Sequence, residues 1–249
     1  MFDTTRRGRA ITVVLVHGAF ADSSSWSGVI ERLQASRVRV TATANPLRGI
    51  DFDSAYVRSV LEQIAGPVLA VGHAYGGAVI SNAATDVDDV VGLVYVAAFV
   101  PDEGERLGEL SAQSSDSILS SVLVAQPYPS PDGVPDVEFT VDPAGLREAL
   151  AGDLPAGEAA IMAATQRPIS ELAFSEPSGR PAWRAQPSWA AVATADKATG
   201  TDIVRSMARR AGAEITEIAG SHFVMISRPE AVTDVILEAL TASSQATDR

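Results

Sequence analysis

Three short segments of this 249-residue chain carry residue types able to do chemistry. The first is Gly72-His73-Ala74-Tyr75-Gly76-Gly77. It fits the Gly-x-Ser-x-Gly turn that presents a nucleophilic serine between a strand and a helix, with alanine at the centre. The glycines have a steric purpose. So sharp a turn presses its members against neighbouring backbone, where a side chain would collide. The second segment is His17-Gly18-Ala19-Phe20. The third is divided between Asp196 and His222, a carboxylate and an imidazole of the kind used in general acid–base catalysis.

Composition removes several other chemistries. There is no cysteine, which excludes disulfides, thiolate catalysis and zinc–cysteine sites. His17, His73 and His222 are the only histidines and no His-Glu-x-x-His occurs, so no metal site is expected. Asp plus Glu total 31 against 19 Lys plus Arg, a net charge of −12. That balance argues against nucleic acid as a partner, because phosphate binding draws on Lys and Arg. The longest apolar runs, Ile11 to Val16 and Val90 to Val100, are too short or too interrupted to span a bilayer. The first ten residues include Arg6, Arg7 and Arg9 but lack the apolar stretch of a secretory signal, and a cytoplasmic location is expected.

The chemical segments must be positioned by the elements around them. Ile11–Val16 is a β-branched apolar run, the pattern of a strand buried on both faces. Strands are also expected at 38–43, 67–71, 90–99, 188–194 and 213–218. Helices are expected at 23–34, 53–64, 75–84, 202–210 and 229–240, with a polar tail from Thr241. The helix at 53–64 places Tyr56, Val60, Leu61 and Ile64 on one face. This alternation implies an α/β fold with a mostly parallel sheet and helices on both faces. Ligands of such sheets bind beyond the carboxyl ends of the strands, where all three chemical segments fall. Between 101 and 185 the rhythm breaks into Pro, Ser and Gly clusters with short helices at 143–150 and 157–164. The stretch Gln126 to Gly133 reads as turns or a loop, and no sheet is expected in this region.

Val14-Leu-Val-His-Gly-Ala19, the turn at 72–77, Ala195-Asp196-Lys197 and Gly220-Ser221-His222 occur in order over nearly the whole chain. On these markers the chain resembles the α/β-hydrolases. More narrowly, it resembles small cofactor-free carboxylesterases, salicylate-binding methylesterases and hydroxynitrile lyases. The resemblance implies a core built from residues 1–100 and 186–249, with 101–185 as a helical cap. It implies position 74 as the nucleophile site, Asp196 as the acid and His222 as the base, in the chain order of that fold. It gives the oxyanion hole to the amides of Ala19 and Tyr75, and it implies no cofactor. Phe20, Phe99, Trp183, Phe223 and Met225 are expected pocket walls, while Trp26 and Trp189 could equally be core. Asp102, after the strand at 90–99, is a rival acid. His17 is expected to support the oxyanion loop, and His73 to be structural or a wall.

The departure is at position 74. Alanine has no oxygen with which to attack a carbonyl. The expected activity is hydrolysis of a small ester, lactone or related carbonyl compound when serine stands there, and near inactivity with alanine. Because the rest of the device is present, a serine exchanged for alanine to trap a bound acyl compound is favoured over natural loss. Two other functions are open: a lyase or cofactor-free oxygenase using His222 and Asp196 alone, and a non-catalytic small-molecule receptor. Ser23, Ser24 and Ser25 could in principle supply a displaced nucleophile.

Overall fold

The computed structural model describes residues 10–129 and 133–247. Arg6, Arg7, Arg9, the tip 130–132 of the expected loop and the last two residues lie outside them. The chain runs through β1 (Thr12–Val16), α1 (Ser27–Ala35, entered by a 3₁₀ turn at Ser23–Trp26), β2 (Arg39–Thr43), α2 (Ile50–Gln63), β3 (Val68–His73), α3 (Tyr75–Ala83) and β4 (Val90–Val96). An excursion follows, with α4 (Leu107–Ser111), β5 (Leu123–Tyr128), β6 (Asp136–Val141), α5 (Pro143–Leu150), α6 (Ala156–Thr165), β7 (Ile169–Ser170) and α7 (Leu172–Ser175). The chain then rejoins the core through β8 (Ser188–Ala193), α8 (Thr201–Arg210), β9 (Glu214–Ile218), α9 (Val224–Ser227) and α10 (Pro229–Thr247).

The core sheet has the order β2-β1-β3-β4-β8-β9, and every pairing is parallel. Its inner strands are the apolar runs: every residue of β1, β3 and β8 is buried, whereas the edge strands β2 and β9 are partly exposed. Helices α2 and α3 pack on each other, with α3 against β3 and β4, while α1 pairs with α10, which lies on β4 and β8. Val16 is in register with Thr43 on one side and Gly72 on the other, so these strands end at one edge.

Three expectations are corrected. First, the excursion holds a three-stranded antiparallel sheet, β5-β6-β7, where only loops and short helices were expected. Pro127, which reads as a loop residue, sits in the edge strand β5 opposite Val137, and an edge strand tolerates a missing N–H. Second, α2 starts at Ile50 and buries Asp53, Ser54, Val57 and Leu61, leaving Tyr56 exposed. The buried face turns because Asp53 is hydrogen-bonded inside the protein. Third, α10 continues to Thr247 through the expected polar tail. There the hydroxyls of Thr241 and Ser244 bond back to the carbonyls of Leu237 and Leu240, and Ser243 is buried.

Candidate active site

The sheet reverses its winding between β1 and β3. β1 pairs with β2 on one side and β3 on the other, and such a switch point opens a crevice beyond the strand ends. Ala74 stands at this point, between β3 and α3, with φ 51° and ψ −119°. For a residue with a Cβ this conformation costs about 1–3 kcal/mol and persists only where its surroundings enforce it. Here the Ala74 N–H donates to Val96 O at 3.2 Å, and its carbonyl accepts from Gly77 N at 3.0 Å and Phe99 N at 3.1 Å. The glycines allow the close approach. A Cβ on Gly72 would lie 2.5 Å from Gly76 O, one on Gly77 2.5 Å from Phe99 O, and one on Gly76 would overlap Val16 O.

The loop after β1 packs directly on this turn. A Cβ on Gly18 would lie 2.7 Å from the Ala74 methyl, so the adjoining Ala19 amide is held close to the turn. Tyr75 opens α3, and its amide has no acceptor within the helix. His17 braces the loop. Its Nδ1–H donates to Gly18 O at 2.9 Å, and Nε2 accepts from Asn45 N at 2.9 Å. The Asn45 side-chain amide returns a bond to His17 O at 3.0 Å. Burial pushes the His17 pKa down to about 4 against a partly offsetting bond to Gly18, so the ring is neutral.

His222 follows β9, and Asp196 follows β8. His222 Nδ1 lies 3.0 Å from both carboxylate oxygens of Asp196, and both residues are buried. A carboxylate can only accept here, so Nδ1 carries the proton and Nε2 keeps its lone pair. Asp196 Oδ1 also accepts from Ala198 N at 2.8 Å and Thr199 N at 3.1 Å. Capping the local turn and holding the imidazole are therefore simultaneous duties of one carboxylate. Asp102 makes an exposed ion pair with Arg184 at 2.5 Å and has no recorded link to His222.

Comparison with known proteins places the chain in a family. The model of the alpha/beta hydrolase family matches residues 13–235. The chain belongs to the alpha/beta hydrolase family. Methylesterase 8 of Arabidopsis thaliana is 35% identical over 103 residues, 36% of this chain, and the match spans 38% of that curated relative's length. Polyneuridine aldehyde esterase superposes with a TM-score of 0.77 at 20% identity, covering 92% of this chain and 99% of that one. Methylketone synthase I of tomato, in complex with 2-tridecanone, superposes with a TM-score of 0.78 at 20% identity, covering 94% and 99%. These two structures share the fold.

The other expected site residues of this alpha/beta hydrolase are distributed unevenly. Phe20, at φ 59°, lines a cavity of about 370 Å³ with Met162 and Ile226, beside the 3₁₀ turn and α6. Phe99 is buried, and its amide serves the Ala74 carbonyl. Phe223 and Met225 are wholly buried, with Phe223 packed on the rings of His73 and His222. Trp183 is half-buried and donates its indole N–H to Pro101 O at 2.9 Å, in a contact that does not involve Ala74 or His222. Trp26 is fully buried, and Trp189 nearly so. Ser23 and Ser25 bond to the carbonyls of Thr43 and Asp22, so neither hydroxyl is joined to His222.

Several contacts around the site have no counterpart in the sequence reading. The Tyr75 phenol points away into the fold and donates to Asp53 at 2.8 Å. Burial, with the Asp53 carboxylate beside it, raises the phenol pKa well above its ordinary value. Burial also raises Asp53, against opposing bonds from Arg48 N and Tyr75. The half-buried Arg167 donates to Asn45 O at 3.1 Å and lies 3.4 Å from His17 Nε2, fastening the excursion to the brace of the loop after β1. A lone Asp at the start of a helix and an Arg in a loop carry no signal of such partners. Among the described residues, no group of three or more His, Asp or Glu could hold a metal ion, and no helix is long and apolar enough to cross a membrane.

Proposed function

We propose that this alpha/beta hydrolase binds a small ester, lactone or related carbonyl compound over Ala74, on the site of a carboxylic-ester hydrolase that lacks its nucleophilic oxygen. The observation that carries this reading is a His222 ring with Nδ1–H on Asp196 and Nε2 unspent, in a protein that still holds position 74 in the strained turn. With serine at 74, Oγ would attack the carbonyl carbon while His222 Nε2 takes its proton. The oxyanion would be received by the amides of Ala19 and Tyr75, each worth about 2.7–4 kcal/mol of barrier. Asp196 would stabilise the imidazolium, which then protonates the leaving group. Water activated by the same ring would release the acid. Residues 101–185 serve in this reading as the cap that excludes solvent. With alanine the covalent step is absent, a loss of roughly a million-fold, or about 8 kcal/mol.

A second reading is supported by the same unspent Nε2 and by one neighbour. Methylketone synthase I of tomato is known with 2-tridecanone bound and, as a variant, with beta-ketoheptanoate bound. A β-keto acid needs no nucleophile. Its C–C bond to the carboxylate breaks, CO₂ leaves, and the electron pair enters the ketone as an enolate. Before that, His222 Nε2 would take the carboxyl proton of the acid; the two amides would then hold the enolate oxygen, and the imidazolium so formed would return the proton to carbon. Serine at codon 74 in the source gene favours the hydrolase, and alanine favours the nucleophile-free reaction.

The test is a crystal of the Ala74 protein soaked with short esters and β-keto acids. The reading expects a carbonyl carbon about 3 Å from the Ala74 methyl, with its oxygen toward the amides of Ala19 and Tyr75. A ligand bound elsewhere, or with its oxygen turned away from both amides, overturns it.

A further inference from the structure

His73 is the residue immediately before Ala74, and it is wholly buried. Its Nε2 lies 3.0 Å from the backbone carbonyl of His222. A carbonyl can only accept, so Nε2 carries the proton and Nδ1 presents a lone pair. That Nδ1 has no partner among the described residues and faces the oxyanion loop: a Cβ on Gly18 would lie 3.0 Å from it. The two imidazoles are 4.7 Å apart at 50°. Phe223 packs on both, at 5.5 Å from His73 and 5.6 Å from His222, while Trp26 meets His73 edge-on at 6.3 Å. One side chain thus touches the elbow, the oxyanion loop and the loop of the base.

We propose that His73 is a positioning residue that sets the place and orientation of His222 relative to Ala74, through a hydrogen bond to the His222 carbonyl and through ring packing. The proposal deepens the reading of His222 as the base and rests on it. The other recorded ties of the His222 loop lead elsewhere. Phe223 N and the Ser221 hydroxyl both bond to Leu150 O in the excursion, and Gly220 O accepts from Ala195 N beyond β8. His73 ties the loop to the strand that carries position 74. Chemistry suits the role as well. Burial, with the nearby His222 acting in the same direction, holds the His73 pKa well below the ordinary histidine value. A proton gained during turnover therefore stays on the ring that has a carboxylate. A charged His73 would place an N–H donor at Nδ1, where no acceptor is recorded.

Two measurements test this. In the unaltered protein, ¹⁵N-histidine NMR should show His73 as the neutral Nε2–H tautomer throughout pH 5–8. A His73 that titrates in that range, or carries its proton on Nδ1, overturns the proposal whatever the site catalyses. The second compares His73→Phe, which keeps a ring and removes the donor, with His73→Gln, which restores an N–H. The His222 Nδ1–H resonance should broaden or shift in His73→Phe and return in His73→Gln. In an Ala74→Ser background, His73→Phe should lower kcat for p-nitrophenyl acetate roughly tenfold or more with KM little changed, and His73→Gln should recover most of it. A folded His73→Phe with both signals unaltered overturns the proposal, as does equal loss of stability in both variants with neither signal moved. If Ala74→Ser confers no activity, the reading of His222 as a hydrolytic base fails separately, and the NMR results alone decide the role of His73.

Discussion

The carboxyl edge of the core sheet and the excursion inserted after β4 treat backbone strain in opposite ways. Phe20, Leu47, Ala74 and Ala97 follow β1, β2, β3 and β4 in turn, and each has a left-handed φ between 44° and 63° although none is glycine. Within 101–185 the left-handed positions among the described residues are Gly104 and Gly133, which adopt such angles without a Cβ penalty. The edge keeps its strained residues because buried backbone bonds and tight glycine contacts leave the chain no other path. The excursion is joined to the core at several places: after β2 by Ser170 N to Leu47 O at 2.9 Å and an Arg48–Glu138 ion pair at 2.7 Å, after β8 by Ile118 N to Lys197 O at 2.8 Å, and at α3 by Gly179 N to Asn82 at 2.7 Å. Among the described residues, four of the six left-handed non-glycine positions thus fall at the edge where chemistry is proposed, and the other two, Arg37 and Asp86, precede β2 and β4.

The sharpest way to break this contrast uses acid, because all three histidines belong to the core and none to the excursion. His17 has its folded pKa pushed to about 4 by burial, below an unfolded value near 6.5. Between those values the unfolded chain binds the proton that the folded chain refuses. Stability is therefore full above pH 6.5 and is lost as pH falls toward 4, by about 3 kcal/mol from this group. His73 is lowered by burial in the same direction. Urea melts from pH 7 to 4 should show the fall, and His17→Gln should flatten it. A level profile in the unaltered protein contradicts the account of a neutral, buried brace.

Glycine substitutions sharpen the contrast on a smaller scale. Gly76→Ala drives a methyl into Val16 O and should cost roughly 2–3 kcal/mol in thermal or denaturant unfolding. Gly157→Ala, in α6 of the excursion with nothing within 4 Å of the added carbon, should stabilise by about 0.5 kcal/mol. Equal effects would mean that the edge is no more constrained than the excursion.

The two regions also differ in what their residues disclose. β1, β3 and β8 are legible because β-branched and small apolar runs suit strands covered on both faces. The positions of Ala74, Asp196 and His222 after β3, β8 and β9 are legible because parallel strands of this kind run to the same edge. The sheet of the excursion is not, since Pro127 and the exposed, short apolar residues of β5 beside the Pro-rich turn resemble a loop until an edge position explains them. The contacts of Tyr75 with Asp53, His17 with Asn45 and His73 with His222 are equally hidden. Each depends on where a side chain points after distant segments have packed, and no local spacing encodes it.

We propose that the carboxyl edge is an esterase site complete but for one oxygen. Ala74→Ser supplies that oxygen at the strained turn next to His73, whose ring packs on His222 at 4.7 Å. Hydrolysis of p-nitrophenyl acetate should rise by about 10⁴-fold or more, and His222→Ala added to the same chain should remove the gain. A folded Ala74→Ser protein that hydrolyses the ester no faster than the alanine form contradicts it.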